Sequence, residues 1–246
     1  MTQNVLVFDI ETVADLTPEN RDAVTWLAQG RDTTPEDYGS LCPPLARVVC
    51  IGWLDLNAQR LGALFDATVG AGAYPPSIDV PTHGTETRPC VIEGCGGEAE
   101  ILRHFGRMVE QHLRQPKAQL VTYNGRGFDL PVLIHRSLKH RVTEGRELLI
   151  KAAMENRYRP LVHVDLLDTV TFCGAAGRFP LAAYALGYGW RSPKQDMHGA
   201  QVSPAVQQGR IIDVARYCAG DVLATAHVYQ CVNGRLPTAE CEPAAG

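Results

Sequence analysis

The 246-residue sequence has no excess of positive charge and no long hydrophobic run. Its formal net charge of -4 argues against a protein that grips duplex DNA by bulk electrostatics, because such proteins carry a basic excess. The first residues lack the basic and apolar regions of a signal peptide, and no stretch approaches the ~18 apolar residues of a membrane span. We therefore expect a cytoplasmic protein with no membrane partner.

The eight cysteines follow no zinc-binding pattern. Cys90 and Cys95 are the only close pair in the sequence, and no second Cys or His pair stands at zinc-finger spacing. Several cysteines lie inside apolar runs such as RVVCIGW, where a free thiol behaves as a small hydrophobic residue. The sequence therefore predicts buried free thiols and no zinc site.

What is present is the composition of an ordinary globular protein, with 45% hydrophobic and 20% charged residues. A chain of this length can bury a substantial core without disulfides. We predict a single domain over residues 1–246, with its core over 1–235 and a frayed tail over 236–246.

The hydrophobic pattern predicts an α/β fold. Runs of β-branched and aromatic residues predict strands at 4–10, 47–56, 61–67 and 119–124. Helical spacing predicts helices around 22–29 and over 98–114, 128–141, 179–189 and 213–232. The stretch 69–89 is rich in Gly, Pro and Thr, so a surface loop is expected there. This order predicts one mixed sheet, with three antiparallel strands and then parallel strands, flanked by helices.

Asp9 and Glu11 are the first chemically informative pair. They stand two apart on a predicted strand, so their side chains leave the same face of the sheet. Burying two carboxylates without a partner costs several kcal/mol, and a cation would offset that cost. The pattern is short, and it also fits a strand end where one acid caps the next element and the other is solvated.

The segment YNGRGFDLPVL, 123–133, places Asp129 near the start of a predicted helix, after a glycine-rich turn. An acid in the first turn also suits the helix dipole, and Pro131 is typical of that position. Helix capping does not account for Phe128, whose ring could stack on a nucleobase. Gly125 and Gly127 would let the backbone approach a nucleotide closely.

Tyr217 and Asp221 stand four residues apart in RYCAGDVLAT, so a helix would place them on one face. Taken alone, they equally fit a tyrosine packed on the core beside an unrelated solvated acid. Together with the other two segments they bring four acids and one tyrosine toward one place.

The motifs FDIETV, NGRGFDLPVL and YCAGDVLAT resemble, in order, the three exonuclease motifs of the DEDD superfamily, which has a ribonuclease H-like (DnaQ-like) fold. The resemblance covers nearly the whole chain and is closest to stand-alone predicted exonucleases that resemble the proofreading domain of family-B DNA polymerases. The DEDDh subtype would need His where the chain has Arg216, whereas Tyr217 stands where the DEDDy subtype requires it.

The resemblance implies a 3'-5' exonuclease that uses two divalent ions, Mg²⁺ or Mn²⁺, to hydrolyse phosphodiester bonds at the 3' end of single-stranded nucleic acid. By similarity, Asp9 would bridge the ions, Glu11 and Asp221 would hold one, and Asp129 would help to hold the other. Tyr217 would hydrogen-bond the attacking water, since its ordinary pKa near 10 suits orientation better than proton abstraction.

The resemblance also implies substrate contacts by Thr12, Asn124 and Phe128. Asp165 and Asp168 lie outside the three motifs, so a structural role or a supporting role behind the metal ligands is expected for them. For His135, His163 and His227 we expect no functional role and interpret them as surface or helix-packing residues.

Three other functions stay open at this point. An exoribonuclease would use the same site, because contacts to a 2'-hydroxyl are not visible in sequence, and only the resemblance favours DNA. A catalytically silent nucleic-acid-binding module could keep the fold, although it would have no physical need for four clustered acids. Another two-metal hydrolase such as a phosphatase fits the acids but leaves Tyr217, Asn124 and Phe128 unexplained.

Overall fold

The computed structural model describes residues 3–70, 72–82, 86–190 and 197–234. Within them a single mixed sheet has the strand order β4-β5-β3-β2-β1-β6-β7. The strands are β1 (Asn4–Ala14), β2 (Ala46–Asp55), β3 (Arg60–Asp66), β4 (Ser77–Pro81), β5 (Thr87–Cys95), β6 (Ala118–Thr122) and β7 (His163–Asp165).

Helices cover both faces of the sheet. They are α1 (Pro18–Ala28), α2 (Pro35–Leu41), α3 (Glu98–Leu113), α4 (Asp129–Lys139), α5 (Arg146–Met154), α6 (Leu166–Val170), α7 (Leu181–Gly187), α8 (Val202–Gln207) and α9 (Ile211–Val232), with a short 3-10 turn at Gly199–Gln201. In the described part of the chain, no helix combines the length and the apolar character that crossing a membrane requires.

The predicted α/β architecture is confirmed. β1, β2 and β3 form an antiparallel set, and β6 and β7 then add in parallel beside β1. The predicted strands and helices named above are all present, with ends shifted by a few residues. The predicted tail, 236–246, lies outside the described residues.

The expectation of a loop over 69–89 is wrong for residues 77–81 and 87–89. This stretch contains β4 and the start of β5, which pair antiparallel and extend the sheet beyond β3. In a sequence, prolines such as Pro81 and Pro89 predict a loop, but proline is tolerated on edge strands and at strand ends. The alternation that reveals these strands is short: Ile78 and Val80 are buried, whereas Asp79 between them is exposed.

The sheet separates two hydrophobic clusters. On one face, α9 packs across β1, β2 and β3, and its alanine and valine side chains are buried in the larger cluster. On the other face, α3, α4 and α5 form the second cluster around Phe8 and Phe105, whose ring centroids are 5.0 Å apart. The central strand β1 is therefore buried on both sides and is held firmly in place.

A buried ionic network ties the second face together. Arg136 of α4, which is 1% exposed, donates to Glu98 Oε1 at 2.8 Å and Oε2 at 2.6 Å and to Asp15 Oδ2 at 2.8 Å. His140 also contacts Glu98 Oε2 at 2.6 Å, and Lys139 pairs with Asp15. Burial raises the pKa of Glu98, but the hydrogen bonds from His140 and Arg136 outweigh it and lower the pKa overall.

The cysteines among the described residues are free, and Cys50, Cys90, Cys95 and Cys218 are buried. The surface or helix-packing interpretation holds for His135, which is exposed, and for His227, which is buried on α9. It is wrong for His163, a fully buried residue of β7 whose Nε2 lies 2.8 Å from Thr122 Oγ1. Burial and the charge of Arg126 lower the pKa of His163 to about 3, so the ring is neutral.

Candidate active site

Asp9 and Glu11 project from the central strand β1 toward α9. Asp9 lies opposite Gly52 and Glu11 opposite Cys50 in the antiparallel pairing with β2. The pairing register shifts directly after Glu11, and such an irregularity redirects the following side chains. Asp9 is partly exposed, whereas Glu11 is buried.

Helix α9 approaches this face closely because β2 has a glycine there. A Cβ atom at Gly52 would lie 3.0 Å from both Cys218 Sγ and Val222 Cγ2. The N–H of Gly52 donates to Cys218 Sγ at 3.1 Å, and that thiol lies 3.4 Å from the carbonyl oxygen of Asp9. The contact sets the position of Tyr217 and Asp221, which are both buried on the same helix.

The turn between β6 and α4 delivers Asp129. Asn124 adopts a left-handed conformation with φ of 63°, and its carbonyl accepts from the N–H of Gly127 at 3.0 Å and of Phe128 at 3.1 Å. A Cβ at Gly125 would meet Thr122 Oγ1 at 2.1 Å, so the chain needs glycine at this close approach.

Asp165 of β7 holds that turn in place. Its Oδ1 accepts from the N–H of Asn124 at 2.9 Å and of Leu167 at 3.0 Å, and its Oδ2 accepts from the N–H of Arg126 at 2.9 Å. Asp168 pairs with Arg126 and Arg157 nearby. Both aspartates therefore make structural contacts behind the acid cluster.

Asp129 is the first residue of α4 and is almost fully buried. Burial raises its pKa to about 7, and its backbone hydrogen bonds, including one with Ile10 of β1, offset only part of that effect. Ile10 stands between Asp9 and Glu11, so Asp129 reaches the acid pair on β1. Its Oδ1 is buried without a hydrogen-bond partner.

The four carboxylates influence one another electrostatically. Burial, followed by the charges of Asp9, Asp221 and Asp129 among others, raises the pKa of Glu11 well above its usual value. Asp9 and Asp221 line a cavity of about 350 Å³. Ligand atoms of Asp9, Glu11 and Cys218 lie within 4.8 Å of one another. The structure thus gathers the four predicted acids at one place.

Tyr217 lies against the same cluster. Burial raises the pKa of its hydroxyl far above the usual value, and the charges of Asp221, Glu11 and Asp9 and a side-chain hydrogen bond with Asp221 raise it further. A phenol in this setting keeps its proton at neutral pH. The pKa of the Cys218 thiol is also raised, first by burial and then by Cys50 and the nearby acids, so Cys218 is a neutral packing residue.

The three residues expected to contact substrate have different environments. Asn124 lines the cavity that Asp9 and Asp221 form. Phe128 is half-buried and packs against the cluster around α3 and α4. The hydroxyl of Thr12 donates to the carbonyl oxygen of Ser40 in α2 at 2.7 Å. Its proton is therefore engaged, and its oxygen can take part in another contact only as an acceptor.

Three further residues with polar or aromatic side chains line this cavity and were not predicted from the sequence, Tyr123, Arg178 and Phe179. Arg178 donates to Asn124 Oδ1 at 2.7 Å, and the Tyr123 hydroxyl donates to the carbonyl oxygen of Phe179. Phe179 is 59% exposed. The contact between Arg178 and Asn124 joins residues 54 positions apart, so no local pattern signals it.

Residues 89–242 match the family described as a predicted 3'-5' exonuclease related to the exonuclease domain of PolB. The match includes Asp129, Tyr217 and Asp221 and begins after Asp9 and Glu11. No curated protein matches the sequence.

Among solved structures, the chain is similar to the family B DNA polymerase from the hyperthermophilic archaeon Pyrobaculum calidifontis, with a TM-score of 0.56 and 20% sequence identity. The similarity covers 95% of this chain and 25% of the polymerase chain, so the sequence spans about a quarter of that polymerase. At this identity the similarity establishes the ribonuclease H-like fold.

Proposed function

The chain belongs to the family of predicted 3'-5' exonucleases related to the exonuclease domain of PolB. From that membership we infer that it shortens single-stranded nucleic acid from the 3' end by metal-dependent hydrolysis. DNA is the favoured substrate. The observation that carries this proposal is the convergence of Asp9, Glu11, Asp129 and Asp221 at one place, where Glu11, Asp129 and Asp221 are buried. Their chemistry, more than the fold, points to phosphodiester cleavage.

The acid cluster fits divalent cations. Burial and then the charges of Asp9 and Asp221 raise the pKa of Glu11, and burial raises the pKa of Asp129. A bound cation would offset both effects. The buried Oδ1 of Asp129 is an acceptor without a donor, and hard cations prefer carboxylate oxygens. Asp9, Glu11, Asp129 and Asp221 would hold two Mg²⁺ or Mn²⁺ ions, which when bound supply the positive charge that phosphodiester hydrolysis requires.

The hydroxyl group of Tyr217 stays protonated. The hydroxyl is hydrogen-bonded to Asp221 and its pKa is far above neutrality, so the side chain cannot serve as the general base. It can orient a water molecule by a hydrogen bond at the edge of the acid cluster. We assign it this orienting role, which agrees with the DEDDy pattern of the sequence.

The surroundings of the acids suit the end of a single strand. The cavity beside Asp9 and Asp221 has a volume of about 350 Å³, near the lower limit for small-ligand sites, so a strand terminus fits it better than a duplex. Arg178 offers a guanidinium group to a phosphate, and the exposed ring of Phe179 offers a stacking surface. These contacts are tolerant of base sequence.

Digestion of matched DNA and RNA oligonucleotides tests this proposal. Purified protein with Mn²⁺ should shorten 5'-labelled single-stranded DNA one nucleotide at a time and act more slowly on RNA of the same sequence. The variant Asp9→Asn should be inactive on both. Faster digestion of RNA would make the protein an exoribonuclease, and intact DNA and RNA would make it a binding module without catalytic activity.

A further inference from the structure

A second cavity adjoins the one beside the acid cluster. Its volume is about 300 Å³, and it shares three lining residues with the first cavity, Asn124, Leu167 and Arg178. The additional lining residues include Arg126, Arg157 and residues of the segment 171–174 that follows α6. The two cavities are therefore neighbouring parts of one surface depression, and the second extends away from the catalytic acids.

Positive charge exceeds negative charge in the second cavity. Three arginines line it, Arg126, Arg157 and Arg178, against two aspartates. Asp168 is shared, because Arg126 Nε lies 3.4 Å from its Oδ2 and Arg157 pairs with its Oδ1. Arg178 donates to the neutral side chain of Asn124. A cavity of this composition suits a phosphate group.

Phe172 stands beside this cavity in an unusual conformation. Its neighbours Thr171 and Cys173 line the cavity, and both Phe172 (φ 52°) and Cys173 (φ 57°) have left-handed backbone. The left-handed conformation costs a bulky residue roughly 1–2 kcal/mol, yet the side chain is 75% exposed. Neither core packing nor backbone preference accounts for an aromatic residue at this position, whereas stacking on a ligand would.

We propose that the second cavity, with Phe172 at its rim and Arg157 in its lining, is a subsite that binds the single strand on the 5' side of the bond to be cleaved. The arginines would contact a backbone phosphate and the ring of Phe172 would stack on a base. This subsite rests on the proposed function, since it presumes that the strand's 3' end lies in the cavity beside Asp9 and Asp221.

Binding without turnover tests the subsite directly. Fluorescence anisotropy in EDTA measures the Kd for a labelled oligothymidylate of about 12 nucleotides, a length within the range of single-strand sites. The variant Phe172→Asn removes the ring and keeps a residue that tolerates left-handed backbone, so its melting temperature should not fall. The Kd should rise about fivefold or more, while Leu138→Gln, which removes an exposed apolar side chain of α4, should leave it unchanged.

The dependence of Kd on salt tests the arginine contact. Each phosphate neutralised on a single strand contributes about -0.7 to the slope of log K against log salt, so Arg157→Gln should reduce the magnitude of the slope by about 0.7. Arg103→Gln is a matched control, because Arg103 is also a partly exposed arginine in an ion pair with a carboxylate, that of Glu144. Neither Arg103 nor Glu144 lines either cavity. Equal slopes for Arg157→Gln and the unaltered protein would overturn the phosphate contact.

Substrate length distinguishes this subsite from a site for the terminal nucleotide. In Mn²⁺, Phe172→Asn should lower kcat/KM for the longer oligonucleotide and leave that for a dinucleotide unchanged. Equal losses on both substrates, or an unchanged Kd in EDTA, would overturn the proposed subsite. Absence of cleavage by the unaltered protein would overturn the exonuclease proposal alone, because the binding comparison in EDTA does not depend on turnover.

Discussion

The backbone N–H of Gly52 on β2 donates to the thiol sulfur of Cys218 on α9 at 3.1 Å. This contact exists because position 52 has no side chain, and it fixes the helix that carries Tyr217 and Asp221 against the strand that carries Asp9 and Glu11. The precision of the acid cluster thus depends on a glycine that has no chemical role of its own.

Replacing Gly52 with Ala should disturb both stability and activity. The new Cβ would lie 3.0 Å from Cys218 Sγ and Val222 Cγ2, which forces α9 outward and costs about 1–3 kcal/mol in a packed core. Urea denaturation and exonuclease rates measure the two effects. Gly220→Ala on the same helix meets no atom within 4 Å and should stabilise the protein by about 0.5–1 kcal/mol. A Gly52→Ala variant with native stability and activity would show that the close approach is unimportant.

Replacing Tyr217 with Phe should lower kcat about 100-fold, the usual cost of removing one orienting hydrogen bond from an active site. The acids are unchanged, so the affinity for Mn²⁺, measured by calorimetry, should be unchanged as well. Tyr229→Phe on the same helix, whose hydroxyl contacts Gln3 Oε1 at 3.2 Å, is the control with full activity. A Tyr217→Phe variant that loses Mn²⁺ affinity would contradict the orienting role.

Replacing Arg136 with Met should destabilise the fold by about 3–5 kcal/mol, because it leaves the carboxylates of Glu98 and Asp15 buried without their main partner. Denaturant unfolding measures the loss. Arg103→Met breaks a partly exposed pair and should cost about 1 kcal/mol or less. Similar losses in the two variants would mean that the buried network contributes no more than a surface pair.

His163 should make stability depend on pH in the acidic range. Its pKa is lowered to about 3 in the folded protein, whereas an unfolded histidine titrates near 6.5. Between about pH 6.5 and pH 3 the unfolded state binds one more proton at this residue, so stability falls as pH falls, by about 1.4 kcal/mol per pH unit. Below the folded pKa the contribution is lost and the dependence levels off.

The variant His163→Gln should flatten this dependence, which unfolding free energies measured from pH 7 to pH 4 would reveal. The gap in stability between the unaltered protein and the variant should shrink as the pH falls. For His135→Gln, at an exposed position of α4, the plot of unfolding free energy against pH should run parallel to that of the unaltered protein. Parallel curves for His163→Gln would mean that the buried ring titrates normally.

Local spacing predicted the parts of the site that local geometry determines. Asp9 and Glu11 share a strand face because they are two apart, and Tyr217 and Asp221 share a helix face because they are four apart. Sequence could not predict that Asp165 holds the turn before Asp129, since Asp165 lies 41 residues from Asn124. The contacts of Arg178 and of Thr12 are likewise formed only by the folded chain.

The sheet was predicted correctly where burial is continuous and incorrectly where it is one-sided. β1 and β2 are buried on both faces, and their apolar runs are unmistakable. In β4 and β5, buried residues alternate with exposed ones, and prolines interrupt the sequence. Because proline usually ends a strand, these prolines obscured the alternation that indicates a β-strand. The DEDDy assignment and the roles of the five site residues remain predictions that catalysis must test.

Single-turnover digestion of one oligonucleotide, labelled at either its 3' or its 5' end, tests most directly whether the acid cluster hydrolyses a strand from its 3' end. With Mn²⁺, the unaltered protein and Asp213→Asn should release a 3' label at once as a mononucleotide and convert a 5' label into a descending ladder. Asp221→Asn, eight residues further along α9, should do neither. Release of the 5' label first, or equal rates for Asp221→Asn and Asp213→Asn, would contradict hydrolysis from the 3' end by this acid cluster.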